Sequence, residues 1–246
     1  MKNQQVPQKE QTRTASQVLA TTLIRQILDG YYPPDKRMPA EREMAQQYHL
    51  SRHVVREALK HLEALGMIDI QQGSGVYPKD LVVNGGMELF EYLLFSDNNE
   101  FDRGSLLDLL VFLRLFVPNV MRLAAENRSM EDIAEMKLLL SERALTITDN
   151  TSFNATNSQL LRILSRSTHN IIYQLLFNNI GRILTKMRSV VPIEQFAPVI
   201  DQHSLEELVH AIEEQDAELA SLLTQRLAER SQKMVTLFLK TLPKNK

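Results

Sequence analysis

Residues 16–77 constrain the fold more than any other part of the chain. A first amphipathic helix is predicted at the start of this segment, and two more begin after Pro39 and at Ser51. Gly66 ends the last of them, and the stretch 67–77 then alternates apolar and polar residues around a glycine-rich tip, which is typical of a β-hairpin. Three helices followed by a hairpin in this order predict a winged helix-turn-helix.

Beyond residue 86 the chain shows almost only helical periodicity. Helices are predicted over 86–95, 105–126, 130–146, 157–169, 171–188, 201–214 and 216–241. The polar stretch 146–158 and the proline-bearing stretch 190–198 are predicted loops. The expected fold class is therefore mainly α, with an N-terminal winged helix-turn-helix that carries a small β-hairpin, and a C-terminal all-α bundle of six or seven helices.

The same patterns predict the domain organisation. Residues 1–14 are polar and aperiodic and are expected to form a disordered tail. We expect the winged domain over 15–79, a linker over 80–86 and the helical domain over 87–243.

Composition excludes several classes of protein. The chain has no cysteine, so it holds neither disulfides nor thiolate metal sites. The polar N-terminus lacks a signal peptide, and no apolar run is long enough to cross a membrane, so we expect a cytoplasmic protein without membrane contact. Residues 1–80 carry 11 Lys and Arg against 9 Asp and Glu, an excess too small to identify a nucleic-acid-binding protein by itself.

The third predicted helix carries its polar residues in its first two turns. In a helix-turn-helix those turns enter the major groove, where the planar guanidinium of arginine can meet O6 and N7 of guanine. The glycines of the hairpin tip allow a close approach of the backbone to DNA. The predicted DNA-contacting residues are Arg42, Ser51, Arg52, His53, Arg56, Gln72, Gly73 and Ser74. The alternative is an ordinary helical hairpin whose arginines form a solvated face.

The run from Ile27 to Val76 resembles the GntR family of bacterial repressors and activators. It reads M-P-A-E-R-E-M-A, S-R-H-V-V-R-E-A-L and G-S-G, where members commonly read L-P-S-E-R-x-L-A, S-R-x-x-V-R-E-A-L and G-x-G. Ala40 replaces the usual serine, and His53 replaces the usual threonine. The resemblance implies a homodimer on a pseudo-palindromic double-stranded operator.

The second half resembles the effector domain of the FadR-like subgroup. Many members bind a divalent metal through an Asp-x-x-x-His pair and two further histidines, and these positions fall on Asn157, Leu161, His203 and Gln225. Leucine cannot ligate, and the two amides supply neither charge nor basicity, so we expect no metal and no cofactor. His203 alone is then expected to be a core histidine or a ligand contact.

Residues 160–178 resemble the fatty-acyl-CoA-responsive branch of that subgroup, and Arg114 aligns with an arginine common in its pocket. We therefore expect a regulator released from its operator by acyl-CoA or a related lipid. The alternatives are a metal-independent sensor of a small carboxylate and a helical half that only dimerises. The predicted effector-contacting residues are Arg114, Asn157, Leu161, Tyr173, His203 and Gln225. No catalytic motif is recognised, so we expect no enzyme.

Overall fold

The protein is described here by a computed structural model. It describes residues 14–95, 102–145, 150–190 and 201–241. The chain divides into two compact units, residues 1–98 and residues 99–246. Most of the predicted N-terminal tail, residues 1–13, lies outside the described residues.

The first unit is a winged helix-turn-helix. Its helices are α1 (Ala15–Leu28), α2 (Glu41–Gln47), α3 (Arg52–Ala64), α4 (Leu81–Asn84) and α5 (Phe90–Leu94), with a 3₁₀ turn at Met87–Leu89. Strands β1 (Ile68–Gln71) and β2 (Gly75–Pro78) pair antiparallel, with Ile70 opposite Val76. The side chains of Leu23, Met44, Val55, Leu59 and Leu62 are fully buried in the core that these elements share. The predicted winged fold is confirmed.

The helix starts of this unit are capped by side chains. Ser51 Oγ accepts a hydrogen bond from the Val54 amide at 3.3 Å, as an N-cap serine does. Ala40 cannot cap α2 in this way, but its own amide donates to Glu43 Oε2 at 2.7 Å. The departure from the family serine therefore removes one of the two hydrogen bonds of a capping box and keeps the other.

Residues 87–95, predicted to belong to the helical domain, pack on the first unit. Leu89 is buried in its core, and Tyr92 packs against that core. Arg25 of α1 donates to the carbonyl oxygens of Tyr92 at 3.2 Å and Phe95 at 2.7 Å. The boundary between the two units thus follows residue 98 and does not fall in the predicted linker 80–86. Periodicity shows that a helix has a buried face, but not which unit buries it.

The second unit is an all-α bundle, as predicted. Its described helices are α6 (Arg103–Asn127), α7 (Met130–Leu145), α8 (Asn150–Arg166), α9 (Ile171–Val190), α10 (Gln202–Glu213) and α11 (Ala217–Thr241). The two longest, α6 and α11, pack along each other. None of the helices in the described part of the chain is long and apolar enough to cross a membrane.

Helix α8 begins at Asn150, inside the stretch 146–158 that was predicted to be a loop. Its polar side chains donate back to carbonyls of the preceding turn: Thr156 Oγ1 to Ser152 at 3.0 Å and Asn157 Nδ2 to Phe153 at 2.8 Å. Such bonds satisfy polar groups within a helix. The loop prediction for this part is wrong, because polar side chains that bond to carbonyls of their own helix give it the composition of a loop.

Candidate DNA-binding face and candidate ligand cavity

The start of α3 presents an exposed polar face. Val55 and Leu59 are fully buried on one side of the helix, which fixes its rotation about its own axis. Ser51, Arg52, His53 and Arg56 are exposed, and so is Arg42 on α2. The structure therefore leaves the predicted residues of the helix-turn-helix open to a partner.

Arg56 is held by Glu41 across the two helices. Its Nε and one terminal nitrogen donate to the two carboxylate oxygens of Glu41 at 3.1 and 2.8 Å. These hydrogen bonds hold the pKa of the Glu41 carboxyl below its usual value. The pair orients the guanidinium of Arg56 in advance of any ligand. Sequence reasoning missed this contact, since nothing in the spacing of the two residues indicates that they meet.

The tip of the wing is exposed at Gln72, Gly73 and Ser74. Gly73 has a φ of +78°, and no atom lies within 4 Å of the position that a Cβ would take there. At Gly75 such a Cβ would lie 2.5 Å from Nε of Arg37, so the exposed side chain of Arg37 lies against the wing. Arg37 adds a cation to this region that was not among the predicted DNA contacts.

The second unit contains a partly open cavity of about 210 Å³. All six long helices contribute to its wall, and most of the wall is apolar. The wall includes Arg143 of α7, Phe153, Asn154, Asn157 and Leu161 of α8, and Thr224 and Ser231 of α11. An apolar cavity with a few polar groups is the usual form of a small-molecule site.

Arg143 is the one positively charged residue of the described wall, and it is 2% exposed. Its Nε donates to Asn157 Oδ1 at 2.9 Å, and a terminal nitrogen donates to Gln202 Oε1 at 2.7 Å. Its Cζ lies 4.5 Å from the centroid of the Phe153 ring. Burial lowers the pKa of the guanidinium, although Asp201 and Glu206 favour its charged form. The sequence did not single out Arg143, because one arginine in a helix with several charged neighbours carries no distinguishing signal.

Two of the six predicted effector residues, Asn157 and Leu161, line the cavity, and the other four do not. Arg114 is half-buried on α6, and Tyr173 stacks on Phe116 with ring centroids 5.7 Å apart. The His203 side chain is 80% exposed and lies 3.6 Å from Glu207, so its interpretation as a core histidine was wrong. Gln225 is exposed.

The four positions of the family metal set do not fit a divalent metal. Asn157 uses both polar side-chain atoms in hydrogen bonds, to Arg143 and Phe153. Gln225 donates to Glu229 at 3.1 Å on the outside of α11, and His203 is exposed. With a leucine as the remaining position, these residues offer no converging set of charged or basic ligands.

Known proteins resemble both units. The family model described as bacterial regulatory proteins, gntR family, matches residues 15–77. The model of the FCD domain matches residues 108–230, half of the chain. A solved structure described as Lar, which controls the expression of the Listeria monocytogenes agr system, shares the fold with a TM-score of 0.59 at 15% identity, covering 93% of this chain and 99% of that one.

Three curated relatives show the range of similar proteins. The Uxu operon transcriptional regulator of Escherichia coli K12 is 32% identical over 61% of this chain and 57% of its own length. The galactonate operon transcriptional repressor of the same strain is 26% identical over 63% of this chain and 68% of its own length. The fatty acid metabolism regulator protein of Yersinia pestis is 26% identical over 67% of each chain. The chain thus spans little more than half the length of the first of these relatives.

A winged helix-turn-helix joined to an all-helical domain with an internal cavity defines a regulator of the two-domain, helix-turn-helix class. Within that class the chain belongs to the GntR family of bacterial transcription regulators, and its second unit is an FCD domain. The predicted family and FadR-like type of second domain are confirmed.

Proposed function

We propose that the protein is a transcription regulator that binds operator DNA through the first turns of α3 and the wing. The observation that carries this proposal is the exposure of Arg42, Arg52 and Arg56 together beside a fixed apolar core. The guanidinium groups of arginines on a recognition helix can bind guanine in the major groove, while the wing approaches the DNA backbone. Such a regulator acts on the bacterial chromosome, in the cytoplasm.

We further propose that a small molecule in the second unit controls this binding. The internal cavity supports a ligand response and speaks against a helical half that only dimerises. The names of the relatives leave the ligand open, since one regulates a galactonate operon and another fatty acid metabolism. A ligand that binds one arrangement of the protein more tightly shifts the population toward it and changes affinity for DNA.

A homodimer is proposed from an apolar face on α6 and α9. Leu115, Ile171, Ile172 and Leu175 are all more than half exposed, and Phe112 is 40% exposed. The stack of Phe112 on Phe116, and of Phe116 on Tyr173, joins the two helices beneath this face. Exposed apolar patches of this kind mark interaction sites, and two copies related by symmetry match two half-sites of a pseudo-palindrome.

Binding to DNA is tested by fluorescence anisotropy of the full-length protein on a labelled duplex from its own promoter. We expect the promoter duplex to bind at least about 10³-fold more tightly than a scrambled duplex of equal length and composition. The salt dependence should be steep, since phosphate contacts release counterions. Equal affinity for the two duplexes would contradict the proposed sequence-specific function.

Leu115→Glu is expected to convert the dimer to a monomer, because a carboxylate would be placed within an apolar interface. Sedimentation velocity at micromolar protein measures the change. The matched control is Leu138→Glu on α7, since Leu138 is 58% exposed and Leu115 is 64% exposed. If both variants sediment as the unchanged protein does, the α6–α9 face is not the dimer interface.

A further inference from the structure

The wing has a third segment along its edge, formed by the residues that precede α2. The Met38 amide donates to the Val76 carbonyl at 2.8 Å, and the Asp35 amide donates to the Pro78 carbonyl at 3.0 Å. Residues 35–38, the edge segment, therefore run along the side of β2 that does not face β1. Met38 is buried in the core of the first unit, which holds the edge segment in place.

The side chain of Arg37, in the edge segment, lies across the backbone of Gly75. A Cβ at Gly75 would lie 2.5 Å from Nε of Arg37, 3.1 Å from its Cδ and 3.2 Å from its Cγ. These distances are shorter than the optimum of about 3.5–4.0 Å between non-bonded carbon atoms, so only glycine leaves room for this course of the side chain. The φ of Gly75, +140°, also favours glycine. The absence of a side chain at Gly75 therefore determines where the guanidinium of Arg37 lies.

The hairpin itself supplies no positive charge. Residues 67–78 contain no Lys or Arg and one acidic residue, Asp69. Lys79 follows at the base of the hairpin, where its amide donates to the Met67 carbonyl, at the opposite end from the tip. A wing that approaches DNA comes close to phosphates, which repel a carboxylate and attract a cation. The cation near the tip must therefore come from outside the hairpin, and Arg37 lies there.

Arg37 is exposed, and it takes part in no ion pair among the residues that the structure describes. Two acidic side chains of the same unit have other partners. Asp69 accepts from Gln71 Nε2 at 2.9 Å, and Glu41 accepts from Arg56 at 2.8 and 3.1 Å. A guanidinium without a carboxylate partner can bind a phosphate through two parallel hydrogen bonds.

We propose that Arg37 is the cation through which the wing binds a phosphate of the DNA backbone, and that Gly75 is the positioning residue that keeps its side chain against the hairpin. This inference rests on the proposed binding of DNA and adds a contact to it. The contact differs in kind from those of the arginines on α3, because a phosphate contact positions the protein on the duplex and carries no sequence information.

Fluorescence anisotropy of the full-length protein at several salt concentrations tests the contact with the promoter duplex and the scrambled duplex. Arg37→Gln is expected to weaken binding to both duplexes by the same factor. The slope of log affinity against log salt concentration should become less steep by about 0.9 for each protomer bound, which corresponds to roughly eight-fold in affinity at about 0.1 M salt.

Two further variants separate the position of the charge from the amount of charge. Lys36→Gln removes the same charge from the exposed neighbouring residue and should change the slope by less than about 0.3. Arg37→Lys keeps the charge and should retain most of the slope, which a purely structural role of the arginine would not predict.

A double-mutant cycle tests the role of Gly75. Gly75→Ala should make the slope less steep in the otherwise unchanged protein, because the added Cβ displaces the side chain of Arg37. In the Arg37→Gln background the same substitution should leave the slope unchanged. The backbone strain that alanine causes at this φ is present in both backgrounds and cancels in the comparison.

The proposal is overturned if Arg37→Gln leaves the slope unchanged, if Lys36→Gln lowers it as much, or if Gly75→Ala lowers it equally in both backgrounds. These outcomes are distinct from failure of the proposed function. Equal affinity of the unchanged protein for the promoter and scrambled duplexes contradicts sequence-specific binding, whereas the slope still reports the Arg37 contact on either duplex. Selective promoter binding with a slope that does not respond to Arg37→Gln contradicts this inference alone.

Discussion

Arg52→Ala is expected to lower affinity for the operator by ten-fold to about a hundred-fold, the effect of losing one bidentate contact with guanine. Arg52 is exposed at the first position of α3, immediately after the N-cap Ser51. A cation there lies at the positive end of the helix dipole, which is unfavourable in the free protein and becomes favourable beside DNA. Removal of the side chain should therefore leave the thermal unfolding temperature unchanged or slightly raised.

Lys60→Ala is the matched control for this variant. Lys60 is 59% exposed on the same helix, two turns further on, where it pairs with Glu57 at 3.1 Å. It lies beyond the turns that enter the major groove, so its loss should change affinity by less than about three-fold. Anisotropy on the promoter and scrambled duplexes measures both variants. Normal binding by Arg52→Ala would contradict the assignment of α3 as the recognition helix.

The winged unit could be predicted from the sequence because each of its boundaries carries a local signal. Ser51 begins α3 with an N-cap, Gly66 ends it, and the glycines of the tip mark the hairpin. The exposed arginines follow from the apolar periodicity of the same helix. The ion pair between Glu41 and Arg56 could not be predicted, because it depends on the angle at which two helices cross.

The ligand cavity was predicted less well, for two physical reasons. Its polar lining residues Arg143, Asn154 and Asn157 lie near the end of α7 and in the first turns of α8. The start of α8 is rich in Asn, Thr and Ser, a composition that is also typical of a loop. The residues carried over from the family, Arg114 and His203, occupy aligned positions, but alignment does not fix exposure. His203 is on the outside of α10, while Arg143, which no motif indicated, is buried.

We expect a second large effect when Gly66 is replaced by alanine. Gly30 is the matched control position, because both glycines end a helix in the same way. Gly66 N–H donates to the Glu63 carbonyl and Met67 N–H to the Leu62 carbonyl, at 2.9 and 3.0 Å. Gly30 and the residue after it make the equivalent bonds at the end of α1, at 3.0 and 2.8 Å. Their φ angles are +72° and +77°, so a side chain costs both positions about 1–2 kcal/mol of backbone strain.

The two glycines differ in the space around them. A Cβ at Gly66 would lie 2.4 Å from the backbone oxygen of Asn84, whereas nothing lies within 4 Å of a Cβ at Gly30. Gly66→Ala must therefore displace α4 or the start of the wing, which adds about 1–3 kcal/mol to the strain. We expect Gly66→Ala to destabilise the first unit by about 2–5 kcal/mol, and Gly30→Ala by no more than about 2 kcal/mol.

Hydrogen exchange of the α3 amides in the full-length protein measures this difference, because it reports on the first unit without requiring the whole chain to unfold in one step. Equal losses of protection in the two variants would show that the backbone of Asn84 moves away at no cost in free energy. The close approach of that backbone to Gly66 would then not determine the position of the wing. A larger loss in Gly66→Ala should be accompanied by weaker operator binding than Gly30→Ala shows, since Gly66 sets the direction in which the wing leaves the recognition helix.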